Sequence, residues 1–144
     1  MDLYNIVNKN AIDFINNNSI TMTYTVRQQK RIVTLIQNNI EIGYFYIEGT
    51  NVDTVDMSIY IDDNPQLRGK GLAKLMIGYM ILNINLSKDQ LIFIDADASV
   101  GFWDYIGMQE NRYYERNNRN VIGKGYEKVI TYSNLIKWAL GVKV

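Results

Sequence analysis

The stretch Asp62-Asp63-Asn64-Pro65-Gln66-Leu67-Arg68-Gly69-Lys70-Gly71-Leu72-Ala73 divides a chain that reads as strand before it and helix after it. Pro65, the only proline, biases Asn64 toward an extended backbone and, behind two acids, stops the preceding strand. Gly69 and Gly71 lack Cβ, so the backbone there can take otherwise disfavoured angles and lets a ligand approach closely. A helix beginning at Leu72 starts with amide N–H groups that have no partner within it, and its dipole places partial positive charge at that end. Such an end is a ready seat for a pyrophosphate, with Arg68 and Lys70 adding charge at the rim. The run is neither a Walker A loop, which closes on Gly-Lys-Ser/Thr, nor a Gly-x-Gly-x-x-Gly fingerprint, so neither nucleotide hydrolysis nor dinucleotide binding is indicated.

Upstream, Ile20–Arg27 alternates Thr with apolar or aromatic residues, the pattern of a half-buried strand. Arg31–Gln37 is a β-branched run, and Asn38-Asn39 separates it from Glu41–Glu48. Asn tolerates the positive φ of a tight turn, so these two runs read as a hairpin. Gly49-Thr50-Asn51 marks a further turn before a fourth strand, Thr54–Ile61. Ahead of the first strand, Ala11–Ile15 has helical spacing and stops at Asn16-Asn17-Asn18-Ser19.

Downstream, Leu72 to about Asn85 is helical, with Leu72, Leu75, Met76, Tyr79 and Leu82 at three- and four-residue steps. Leu91–Asp95 reads as a buried strand, and Ser99–Ile106 as a short helix ended by Gly107. Met108–Glu115 and Tyr126–Tyr132 read as strands around the turn-rich Asn117–Gly125, before a last helical turn over Leu135–Leu140. The expected fold is therefore α+β: an antiparallel meander, a strand–helix–strand–helix unit, then a hairpin, in one domain over residues 1–144. The crossover between the fourth and fifth strands should be parallel and right-handed.

Composition narrows the chemistry. There is no cysteine and no histidine, which removes disulfides, thiolate nucleophiles, imidazole bases and the usual zinc ligands. No metal is expected. Formal charge is zero, so the overall field does not favour nucleic acid. Yet residues 1–65 hold four Lys/Arg against eight Asp/Glu, while residues 108–144 hold seven Lys/Arg against three Glu. An acidic front suits a cationic amine and a basic rear suits phosphates. The longest apolar stretch free of charge, between Lys74 and Lys88, falls short of the roughly 20 residues a bilayer demands. Met1-Asp2-Leu3-Tyr4 lacks a basic leader, so a cytoplasmic protein is the expectation.

At Gln66-Leu67-Arg68-Gly69-Lys70-Gly71-Leu72-Ala73 the chain resembles the GNAT superfamily of N-acetyltransferases, whose hallmark is Gln/Arg-x-x-Gly-x-Gly/Ala between a central strand and a helix. Phe102-Trp103-Asp104-Tyr105-Ile106-Gly107-Met108 is similar to the family's second block, an aromatic pair on a later helix. The resemblance covers about residues 31–133. It implies a mixed, mostly antiparallel sheet of about six to seven strands, flanked by helices and splayed after the fourth strand. Acetyl-coenzyme A as cosubstrate would lie in that opening. Backbone at Ile59, Tyr60 and Ile61 would pair with its pantetheine arm. The loop Gln66, Leu67, Arg68, Gly69, Lys70, Gly71 and Leu72 would hold the pyrophosphate, and Phe102 and Trp103 would flank the thioester. The implied activity is acetyl transfer to a primary amine of a small molecule or peptide, with a cationic acceptor favoured. The alternative is a non-catalytic module that binds acyl-coenzyme A or a protein.

Transfer requires a base for the amine, stabilisation of the carbonyl oxygen and a leaving thiolate. Asp56, Ser58 and Tyr60 alternate onto one strand face, with Val55, Met57, Ile59 and Ile61 on the other. Asp56 is the candidate base, with Glu41 and Glu48 as alternatives, and a strand amide near Ile59–Ile61 is the candidate oxyanion donor. Many family members carry a tyrosine where Trp103 stands, and an indole N–H has no proton to give at neutral pH. Tyr105 lies about 200° further around the helix. Either the thiolate leaves without a protein acid, or Tyr60, Tyr113 or Tyr114 supplies the proton, with Tyr60 the candidate catalytic residue beside Asp56. The asparagine common after the fifth strand falls at about Ala96, between Asp95 and Asp97. Leu135, Trp138 and Leu140 read as exposed tail residues, candidates to dock on a second subunit in a homodimer.

Overall fold

The structure, a computed structural model, describes residues 3–49, 55–94, 100–110 and 128–141. Its elements are α1 (Leu3–Asn17), β1 (Ile20–Arg27), β2 (Lys30–Gln37), β3 (Ile40–Gly49), β4 (Val55–Ile61), a 3₁₀ turn (Pro65–Leu67), α2 (Leu72–Asn83), β5 (Leu91–Ile94), α3 (Val100–Tyr105), β6 (Gln109–Glu110), β7 (Lys128–Thr131) and α4 (Tyr132–Leu140). The expected loop Asn117–Gly125, the residues Asp95, Ala96 and Asp97, and Tyr113 and Tyr114 lie outside the described residues.

The β-branched and aromatic runs form a seven-stranded sheet in the order β1-β2-β3-β4-β5-β7-β6. Every neighbouring pair is antiparallel except β4–β5, which is parallel. Asn38 and Asn39 turn the β2–β3 hairpin at φ of 54° and 64°, the left-handed pair that a two-residue turn requires. The β2–β3 register slips between Leu35 and Ile36, so that Ile42 bulges; the Asp62 N–H donates to its carbonyl at 2.8 Å.

Alternation along the strands sorts the sheet into two faces. Val33, Leu35, Phe45, Ile47, Met57, Ile92 and Ile94 are buried on one face, in a single core with Ala11 and Ile15 of α1, with α2, and with Leu135 and Ala139 of α4. The opposite face carries Tyr44, Tyr46 and Glu48 of β3 beside Tyr60, Ser58 and Asp56 of β4.

Four elements differ from the sequence expectation. α1 starts eight residues before Ala11 and breaks at Asn8 (φ −112°, ψ 20°), so that two helical segments meet there. α2 does not present a single stripe. It packs against α1, α4, β2 and β3 at once, so Ile77, Met80 and Ile81 are buried as well, while Leu82 is 53% exposed. β7 ends at Thr131, whose hydroxyl accepts from the Asn134 N–H at 3.2 Å and caps α4, which places Tyr132 in the helix. Leu135 is fully buried against the chain's own core, which removes it from any surface for a second subunit; Trp138 and Leu140 are half-buried.

Candidate functional site

The loop between β4 and α2 is built by short-range hydrogen bonds. The Asn64 side chain accepts from the Gln66 N–H at 2.9 Å, while its carbonyl accepts from Leu67 N–H at 2.9 Å. Arg68 N–H donates to the Pro65 carbonyl at 3.3 Å, and the buried Leu67 side chain anchors the turn to the core. Beyond this point the backbone swings to positive φ twice, 69° at Gly69 and 77° at Gly71. Gly71 caps α2 without a side chain, and its carbonyl accepts the helix's first bond, from Leu75 N–H at 2.9 Å. The N–H groups of Leu72, Ala73 and Lys74 therefore have no acceptor within the helix.

A cavity of about 250 Å³ opens beside these amides, lined by Gly69, Lys70, Gly71 and Lys74 on one side and by Asn8, Asn10 and Ala11 on the other. Among the described residues nothing lies within 4 Å of the position a Cβ would take on Gly69, whereas on Gly71 a Cβ would stand 3.5 Å from that of Ala11. Lys70 keeps its ammonium 5.4 Å from the Phe14 ring centroid. Arg68 forms an ion pair with Asp63, both well exposed, so its charge is already engaged at the rim. The wall supplied by α1 is the part of this site that sequence reasoning missed. Asn8, only 4% exposed, sits at the helix break, and the only signal for it was the unusual density of Asn in a helical run.

The β4 strand next to this loop is paired with β3 along its whole length, from Val55↔Gly49 to Ile61↔Gly43. Toward β5 it is paired only at Val55↔Ile92 and Asp56↔Phe93. Among the described residues Met57–Ile61 has no strand on that side. The sheet opens there, and Ile59, Tyr60 and Ile61 border the opening.

The second sequence block meets α4 through Trp138. Trp103 is a core residue, 1% exposed, and its Nε1 has no hydrogen-bond partner among the described residues. Phe102 is half-buried, edge-on to Trp103 at 5.0 Å and to Trp138 of α4 at 5.9 Å. The Lys74 ammonium lies 5.5 Å from the Trp138 ring centroid, which ties this aromatic group to the first turn of α2. Tyr105 is 76% exposed and meets Trp138 edge-on at 6.3 Å; it faces away from Trp103, as 200° of helical rotation dictates.

On the open face of the sheet, Asp56 stands between Glu48 of β3 and Phe93 of β5, with its Oδ1 buried. Glu41, the other alternative, is exposed near the β2–β3 turn. The Tyr46 phenol is pushed above its ordinary value, first by burial and then by the negative field of Asp56, against a hydrogen bond with Ser58 that lowers it. The Tyr60 hydroxyl donates to Asp62 Oδ1 at 2.8 Å, and that bond is the main cause holding its pKa above the usual phenol range. Both phenols are neutral donors near pH 7.

No protein-family model matches the chain, and no curated protein matches it. Among solved structures, a protein of Exiguobacterium sp. 255-15 assigned as an acetyltransferase superposes with a TM-score of 0.50 at 11% identity, over 88% of this chain and 75% of that one. The chain has the GNAT fold. A GNAT family acetyltransferase from Elizabethkingia anophelis with acetyl-CoA bound gives a TM-score of 0.41 at 11% identity, covering 78% and 94% of the two chains. Spermidine N-acetyltransferase from Vibrio cholerae in complex with CoA and spermine gives 0.43 at 17% identity, covering 87% and 75%.

Within this GNAT fold β4 carries both the open edge and the Asp56–Ser58–Tyr60 face, and Gln66–Leu72 follows it in the chain at the start of α2. Trp103 is set apart in the core, while Phe102 lies between it and Trp138.

Proposed function

We propose that this chain binds acetyl-coenzyme A in the opening between β4 and β5 and transfers its acetyl group to a primary amine. The observation that carries this reading is the parting of β4 from β5 after two residue pairs, beside the glycine-rich start of α2. An extended pantetheine arm has the geometry of an added strand, and the strand groups at Ile59–Ile61, which have no strand on the β5 side among the described residues, are what it would meet. The positive-φ glycines, the orphan amides of α2 and the adjoining cavity fit a diphosphate.

When bound, acetyl-coenzyme A supplies an acyl thioester; the chain's own residues would do the rest. Asp56, at the point where the sheet parts, would take the amine proton directly or through water, with Glu48 next to it in register. A β4 amide at the open edge would donate to the carbonyl oxygen as it becomes anionic. Tyr60 keeps its proton near neutral pH and is the donor available to a departing thiolate.

The test is a thermal shift with acetyl-coenzyme A, followed by thiol release across an amine panel. Ligand at about 100 times its Kd should stabilise the fold by about 2.7 kcal/mol. No shift would reject the reading. A shift without thiol release from any amine would favour the binding module.

A further inference from the structure

Lys30 places its ammonium 4.0 Å from the centroid of the Tyr46 ring. That ring belongs to an aromatic surface: Tyr44 stacks on Tyr46 at 6.1 Å with planes 16° apart, and Tyr60 meets Tyr44 at 5.7 Å. Register adds carboxylates along one side. Lys30 pairs with Glu48, Glu48 with Asp56, and Asp56 with Phe93, in a single row across four strands. Tyrosine faces edged by carboxylates attract cations through both the ring quadrupole and the net charge.

The ammonium that binds such a surface is not the amine that reacts. Transfer needs a neutral amine at the free β4 edge, whereas the Tyr46 ring holds a charged one on β3, about one strand spacing (~4.8 Å) away. We infer that the Tyr46 face, bounded by Tyr44, Tyr60, Glu48 and Asp56, is the seat for a second, non-reacting ammonium of the acceptor, so that the substrate class is a diamine or longer alkylamine, and that Lys30 occupies this seat when no acceptor is bound. The inference rests on the transferase reading for the role of the seat, but not for its existence. Burial first, and then the negative field of Asp56, raises the Tyr46 phenol, and a bound ammonium would relieve that field.

The seat can be tested on protein without acetyl-coenzyme A, by following tyrosine ring resonances during titration with 1,4-diaminobutane, butylamine and 1,4-butanediol. The expected result is saturable shifts of Tyr44, Tyr46 and Tyr60 with the diamine, weaker ones with butylamine and none with the diol. Lys30→Met should tighten diamine binding several-fold by removing the internal competitor. Tyr46→Leu should weaken it by roughly tenfold, and Tyr46→Phe, which keeps the ring face, should retain it. Equal responses to diamine and diol, or unchanged diamine affinity in both Lys30→Met and Tyr46→Leu, would overturn the inference. Failure of the acetyl-coenzyme A thermal shift, by contrast, rejects the transferase reading and leaves the titration to decide the seat.

Discussion

Asp56 stands opposite Phe93 in the last residue pair that β4 shares with β5. Beyond that pair β4 continues for five residues, Met57–Ile61, which among the described residues pair with β3 alone. The open edge is therefore only as well positioned as the β3–β4 ladder that supports it.

Gly43 is where that support is tightest. It pairs with Ile61, and a Cβ on it would stand 2.9 Å from the Tyr60 carbonyl oxygen and 3.5 Å from Ile61 Cα. The carbonyl oxygen is the obstacle, and as backbone it cannot rotate aside. Gly43→Ala is expected to cost about 1–3 kcal/mol, the range for forced overpacking, and to weaken acetyl-coenzyme A binding by displacing the β4 edge. Urea denaturation and the thermal shift measure the two effects. Wild-type stability in this variant would show that the edge yields easily.

The two loop glycines are not equivalent probes. Valine at position 71 would combine a β-branched side chain, φ of 77° and the neighbouring Ala11, so a loss of binding could not be separated from a loss of fold. Position 69 has open space around it, and asparagine tolerates left-handed backbone better than other residues. Gly69→Asn is expected to change stability by less than about 1 kcal/mol while projecting a side chain over the loop amides. Acetyl-coenzyme A affinity should fall at least about tenfold, a difference of about 1.4 kcal/mol. Unchanged affinity would remove the loop from the site.

Much of this arrangement was legible in the sequence because its determinants are local. Asn38-Asn39 announces a hairpin through a backbone angle that few residues accept, and Asn64-Pro65 with Gly69 and Gly71 announces the break between strand and helix. Gln28, at φ of 53° in the β1–β2 turn, announces nothing, since glutamine has no turn preference to read. The first turns of α1 were illegible for a related reason. Asn5, Asn8 and Asn10 are poor helix formers, and the helix is held by packing against α2 and β1. The buried faces of α2 depend on how many elements surround it, which periodicity does not encode. The Tyr46–Lys30 contact joins residues from two strands, and only register brings them together.

Two tyrosines should make the fold sensitive to alkali. Burial raises the Tyr132 phenol above 10.0, and burial with the Asp56 charge raises that of Tyr46. Below the ordinary value both states hold these protons, so the full contribution to stability is present. As pH rises from that value through the raised native values, the unfolded chain loses its protons first and stability declines. Urea midpoints measured from about pH 8 upward should fall once the ordinary phenol range near 10 is passed. Tyr132→Phe should decline less steeply than wild type. An identical decline in the variant would show that Tyr132 does not contribute.

Leu135 decides how α4 stabilises the molecule. The helix is capped by Thr131 at its start, and at its end Gly141 turns left-handed and donates its N–H to the Lys137 carbonyl at 3.0 Å. Between these caps Leu135 is fully buried, in one core with α2 and the inner face of the sheet. Leu135→Ala is expected to cost about 2–5 kcal/mol, the transfer term plus an unfilled cavity. A residue that acted by docking on a second subunit would behave differently, because its loss would shift a concentration-dependent equilibrium. The denaturation midpoint of Leu135→Ala, and its difference from wild type, should therefore be independent of protein concentration across a hundredfold dilution. A difference that shrinks on dilution would return Leu135 to an interface between copies.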